Sequence, residues 1–220
     1  MVTVSQIVKR MIDSRPMIQE ALIEGIVSFG NLAEKLKKEI EFELGGPVQK
    51  SAVMMAIRRY AEHLEKKTFR KIPFKPYPEI IMKTNLCDIC IVKTPSALEK
   101  IRKIHKIVNY ERGDTLNIIQ GNYEITVVIS QKYLSELKEI MENEKILNIE
   151  KNLVSLTLSL TEEFFYTPGG ISIATRKLSW ENINIFEIIS TMTELIYIIG
   201  EKDAVRAYSI FSQMIREYSE

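Results

Sequence analysis

The chain has 220 residues, 45% hydrophobic and 27% charged, with a net charge of +1, which suits a folded protein with a sizeable core and excludes a disordered, collagenous or disulfide-scaffold chain. Two cysteines and two histidines give no disulfide framework and little scope for metal or acid–base chemistry. No apolar run approaches the roughly 18 residues of a membrane span, and the N-terminus lacks the apolar core and cleavage site of a signal peptide, so a cytoplasmic protein without membrane association is expected.

Residues 1–67 read as helices. Ile7, Val8, Met11 and Ile12 recur at helical spacing, and Ser14-Arg15-Pro16 then ends one segment and opens another. The second helix is predicted to bury Met17, Ile18, Ala21, Leu22 and Ile26. Ser28 can cap a third, in which Leu32, Leu36, Ile40 and Leu44 recur every fourth residue until Gly45-Gly46-Pro47. A fourth, over residues 48–66, gathers Val53, Ala56, Ile57, Tyr60 and Leu64 on one face, and Lys50, Ser51, Met54 and Arg58 project elsewhere. Residues 68–78 carry Pro73, Pro76 and Pro78 and read as an extended linker.

Beyond the linker, strands and helices alternate. Residues 86–92 read as a strand and residues 95–106 as a helix opened by Thr94-Pro95. Residues 115–120 and 123–129 form a hairpin about Gly121-Asn122. A helix over residues 131–143 and a strand over residues 146–150 follow. The order then repeats about 67 residues on. Residues 153–160, LVSLTLSL, alternate strictly and predict a strand; Thr167-Pro168-Gly169-Gly170 is a turn into a helix ending near Glu181; residues 185–190 and 195–199 make a second hairpin; residues 201–218 close with a helix. The domain reading is residues 1–67 helical, 68–78 linker, 79–151 a first unit and 152–220 a second.

Charge is uneven along these segments. Residues 1–67 hold 11 basic and 9 acidic side chains, residues 68–106 hold 9 and 3, and residues 107–220 hold 10 and 17. The basic front is compatible with a polyanionic partner or with an internal interface to the acidic half.

The second unit resembles the ACT domain, most closely the regulatory ACT domains of aspartokinases. Thr167-Pro168-Gly169-Gly170, then a helix, then Asn182-Ile183-Asn184-Ile185 and Ile189-Ser190-Thr191 are similar to that family's PG…NIN…IST pattern, and Glu201-Lys202-Asp203-Ala204 to its entry into the last helix. The resemblance implies an α+β protein with tandem ferredoxin-like βαββαβ units behind the helical bundle. It implies a small ligand, an amino acid by analogy, held by Thr167, Pro168, Gly169, Gly170, Asn184 and Ile185 at an interface between units, and a homodimer. The physical content is separable from the name: a Gly-Gly turn at a helix N-terminus lets backbone amides meet a carboxylate, and Asn184 offers both donor and acceptor. Gly170 stands where the family usually has an apolar residue, the preceding loop is unusually aromatic, and the first unit's Lys93-Thr94-Pro95-Ser96 has no glycine. The second unit ends before its last strand, which residues 79–82 or 146–150 would supply by strand exchange.

The N-terminal helices resemble a winged helix-turn-helix loosely, with Lys50, Ser51, Met54 and Arg58 toward DNA, and Arg70, Lys71 and Lys75 in a wing or arm. Docking of these helices on another protein is the alternative. Cys87-Asp88-Ile89-Cys90 matches CxxC, but in a strand its cysteines point to opposite faces and read as buried thiols. No cofactor, no metal and no enzymatic activity are expected: no glycine-rich phosphate loop occurs, and the helical segment is too short for a kinase domain. The leading expectation is a regulatory amino-acid sensor that acts on transcription. A dimerisation and interaction module with no small ligand is the other.

Overall fold

The computed structural model describes residues 2–66 and 79–219. The chain divides into two compact units, Met1–Arg70 and Lys71–Glu220. The predicted linker, with Arg70, Lys71 and Lys75, lies outside the described residues.

The first unit holds helices α1 (Val4–Asp13), α2 (Pro16–Ile23), α3 (Phe29–Leu44) and α4 (Lys50–Lys66). Local chemistry sets their ends. Thr3 and Gln6 form a capping box on α1, Ser28 accepts from Asn31 N–H at the start of α3, and Gly45 closes α3 in the left-handed region at φ 70°. Ile7, Ile12, Leu22, Leu36, Ile40, Val53 and Ile57 meet in one core. Two expected core residues do not join it: Met17 is 60% and Ile26 77% exposed. α2 ends at Ile23, so Ile26 falls beyond the helical stripe to which it seemed to belong. Lys50, Ser51, Met54 and Arg58 all lie on the exposed face of α4.

The second unit is built on a six-stranded antiparallel sheet in the order β2-β3-β1-β4-β6-β5. Its strands are β1 (Ile80–Val92), β2 (Leu116–Gln120), β3 (Glu124–Ser130), β4 (Ile146–Ser159), β5 (Ile185–Ser190) and β6 (Glu194–Gly200). Helices α5 (Pro95–Ile104) and α6 (Leu134–Ile140) cover the first half, and α8 (Gly170–Trp180) and α9 (Ala204–Ser219) the second. Where two separate strands were expected over residues 146–150 and 153–160, there is one. β1 is likewise continuous from Ile80.

These two long strands exchange partners midway. Ile80–Lys83 pair with Leu158–Ser155 and supply the second half with its last strand, while Asp88–Cys90 pair with Glu150–Asn148 and complete the first. Register shifts fall between, at Asn85 and Asn152, which sit 67 positions apart with φ of 55° and 54°. Asparagine tolerates this left-handed conformation, so each strand turns without ending. The sheet curls so far there that Val128 of β3 packs with Ile196 and Ile198 of β6, around Leu86 and Leu153. The faces without helices are thus turned toward each other, and a second buried layer runs between them.

Candidate functional site

Between β4 and α8 the chain makes a short helix that periodicity did not reveal, α7 (Glu162–Phe165), capped by the Thr161 side chain, which accepts from Phe164 N–H. Thr167 Oγ1 donates to the Glu163 carbonyl at 2.9 Å and ties the loop back. Gly169, at φ 94°, precedes α8 in a conformation that L side chains rarely adopt. No side chain caps α8. Its first turn therefore presents N–H groups and the positive end of the helix dipole.

Gly170 has a different reason to be glycine. A Cβ there would lie 2.6 Å from Phe164 Cζ, so the buried Phe164 ring takes the volume that a side chain at position 170 would need. The aromatic loop and the unexpected glycine are one packing arrangement. Phe165, by contrast, is 54% exposed and stands edge-on to Tyr166. A cavity of about 220 Å³ remains, lined by Leu160, Phe164, Thr167, Gly169, Ser172 and Ser190 among others.

Thr167, Gly169 and Gly170 are brought together here. Pro168 is exposed beside them, and Asn184 and Ile185 are not close. β5 runs parallel to β4, both being antiparallel to β6, so Ser190 lies level with the loop after β4 whereas Ile185 sits opposite Ile199 at the far end. At about 3.3 Å per residue, Ile185 and Asn184, five and six positions before Ser190, lie roughly 16 and 20 Å away along the strand. The expectation that Asn184 stands beside the turn is therefore corrected for a single chain. Asn184 is exposed, and Ile185 packs against the core of the second half.

The first half treats the same position differently. Thr94 caps α5, accepting from Ala97 N–H at 3.0 Å. The Glu144 carboxylate sits against that first turn, accepting from Thr94 Oγ1 at 2.9 Å and Ser96 Oγ at 2.7 Å, with Lys100 Nζ 2.9 Å away. Lys100 above all, then the two hydroxyls, holds the Glu144 pKa down to about 2. This anion comes from the chain itself. Glu144 escaped sequence reading because it lies 50 residues from Thr94 with no motif linking them.

Cys87 is buried and Cys90 half-buried, and burial pushes both thiols up to about 11, so neither is a thiolate at neutral pH. His105 bonds Tyr110 at 2.9 Å, and His63 stacks on Tyr60. No group of three or more potential metal ligands is clustered among the described residues. Lys50 pairs with Glu34 at 2.8 Å and Arg58 with Glu62 at 3.4 Å.

Comparison with solved structures gives the fold its class. The regulatory subunit of aspartate kinase from Thermus thermophilus, in ligand-free form, matches at a TM-score of 0.50 and 16% identity over 61% of this chain and 94% of that one. The Thermus flavus regulatory subunit matches at 0.50 and 15%, over 61% and 95%. The aspartate kinase of Synechocystis matches at 0.50 and 12%, over 76% of this chain but only 31% of the enzyme. No protein-family model and no curated protein matches the sequence. The chain thus shares the ACT-like fold of aspartate kinase regulatory subunits, at identities that speak for fold alone.

Proposed function

We propose that this chain is a non-catalytic regulatory protein that senses a small amino acid at the open N-terminus of α8. The observation that carries the reading is the contrast between the two helix starts. Glu144 already lies against the first turn of α5, whereas α8 has no side-chain cap and faces a cavity of about 220 Å³. A free carboxylate would take the place in the second half that Glu144 takes in the first.

Asn184 and Ile185 then belong to the pocket of a second copy, which makes the sensor a homodimer joined at its sheet edges. Support comes from edge strand β5, where Phe186 is 36% and Ile188 40% exposed, an apolar edge of the kind that pairs with another chain. The signal is read out through α4, whose exposed face carries Lys50, Ser51, Met54 and Arg58 and suits contact with DNA phosphates.

Thermal unfolding of the full chain against each of the twenty amino acids tests the sensor. One or two should raise the melting temperature, and the rise should disappear in Gly169→Val. Silence from all twenty would leave the dimerisation module. Light scattering tests the homodimer, and duplex DNA binding that weakens with salt and disappears in Lys50→Ala/Arg58→Ala tests the readout.

A further inference from the structure

The curl of the sheet creates a second cavity, separate from the α8 loop. It holds about 240 Å³ between the two sheet faces that carry no helices. Its floor is the inner face of the second half: Ser155 and Thr157 of β4, with Ile196 of β6. Its roof is the start of β2, with Thr115 and Asn117.

Three features set it apart from an ordinary packing gap. Its floor places hydroxyls where an inter-sheet layer is normally apolar: Ser155 is 3% and Thr157 9% exposed, beside the apolar cluster of Leu86, Val128, Leu153 and Ile198. Thr115, which also lines the cavity, is 8% exposed, and its hydroxyl has no hydrogen-bond partner. Opposite charges stand toward its two ends. Lys83 pairs with Ser155 in the ladder and Glu194 with Ser159, four residues further along β4. The Lys83 ammonium donates to the Gly113 carbonyl at 2.9 Å, which leaves further N–H groups to give. A third charge, Asp114, is already held by Lys132 at 2.8 Å and Tyr133 at 2.6 Å.

The geometry points to a binding site for a small zwitterion in this inter-sheet cleft, its anionic group toward Lys83, its cationic group toward Glu194, and its middle on the hydroxyls of Ser155 and Thr157. At about 30 Å³ per water the cavity equals roughly eight waters, which sets the guest at about that many non-hydrogen atoms. It is too small for a nucleotide. The proposal is for the second half alone, because at the pseudo-equivalent positions the first half presents Asp88 and Cys90 where this cleft has Ser155 and Thr157, and Glu187 stands where it has Asn117. Those carboxylates would repel the anionic end. The inference does not depend on the α8 loop.

The test is a titration of the ¹⁵N-labelled full chain with each of the twenty amino acids and with linear ω-amino acids of three to six carbons, up to about 20 mM. Amide signals of Thr115, Asn117, Ser155 and Thr157 should move with at least one probe, at one equivalent per chain. Lys83→Met and Glu194→Gln change half-exposed or exposed charges and should keep the fold, yet each should weaken binding at least about tenfold. Gly169→Val should not. Shifts confined to Gly169, Gly170 and Ser172 would overturn this site and leave the α8 sensor standing. Shifts at the cleft with affinity untouched by both charge variants, or no shifts with any probe, would overturn it as well.

Discussion

The two halves of Lys71–Glu220 share a plan and differ in how each meets charge. At the helix start, the first half supplies its own carboxylate, Glu144, and the second leaves a cavity. On the inner sheet face the relation is the same. The first half packs Asp88 near Glu187 and Glu150 with one oxygen unpartnered, and the second places Ser155 and Thr157 beneath an open space. Duplication of a backbone therefore does not duplicate a site. At both places the first half fills its volume or charge from within, and the second half, left open, is the one proposed to bind.

The largest expected effect comes from removing the buried charge. Burial, then the charges of Glu187 and Glu150, raises the Asp88 pKa from 3.8 to about 6. A carboxyl raised in the folded state costs nothing below its unfolded value, and its penalty is complete above its folded one. Stability should therefore fall as pH climbs from about 4 to about 7. Asp88→Asn should abolish most of that slope and stabilise the chain at pH 7.5 by up to roughly 3 kcal/mol, with no gain at pH 4. Urea unfolding at the two pH values measures it. An equal gain at both would mean that Asp88 acts through packing and not through charge.

Next comes the contact between Gly170 and Phe164. Gly170→Ala puts a methyl 2.6 Å from the Phe164 ring and should cost about 1–3 kcal/mol by overpacking. In the Phe164→Leu background the same change should cost much less, because the smaller side chain can withdraw. Additive costs in the double variant would separate the aromatic loop from the glycine.

A smaller effect tests the bends shared by both halves. Asn85→Ala and Asn152→Ala should each cost about 1 kcal/mol for a left-handed residue, and the glycine variants only a few tenths. The pair should not be equal. Asn152 Oδ1 also accepts from Gln131 Nε2 at 3.4 Å, a long-range bond that alanine loses, whereas Asn85 Nδ2 donates to the hydroxyl of its neighbour Thr84, so Asn152→Ala should be the more costly in urea unfolding.

Much of this plan is readable from periodicity. The four N-terminal helices, both hairpins and the 67-residue repeat follow from apolar spacing and turn residues, since each is a local pattern. The continuity of β1 and β4 does not, because Thr84-Asn85 and Lys151-Asn152 interrupt the alternation and look like ends when they are bends. Four residues are too few for α7 to show a helical period. The turn Thr167-Pro168-Gly169-Gly170 was legible as a helix start, but its separation from Asn184 depends on strand direction, which no motif encodes. Buried Ser155 and Thr157 were least legible: LVSLTLSL marks a strand with two faces, and only the curl of the sheet covers the second.

The last and smallest effect reverses the difference between the helix starts. Glu144→Ala should open at α5 the kind of vacancy found at α8, with Thr94, Ser96 and Lys100 left facing it. The folded pKa of Glu144 lies below its ordinary value, so its contribution is present above about 4.5 and lost as pH falls toward 2. The variant should therefore melt below the wild type at pH 7, and the gap should close near pH 2. Acetate at pH 7 supplies the missing carboxylate in trans and should recover part of the loss, while chloride at equal ionic strength should not. Full recovery by chloride would show that Lys100 needs only a screening anion. Rescue by acetate alone would show that the two hydroxyls select a carboxylate, the chemistry the second half is proposed to await from outside.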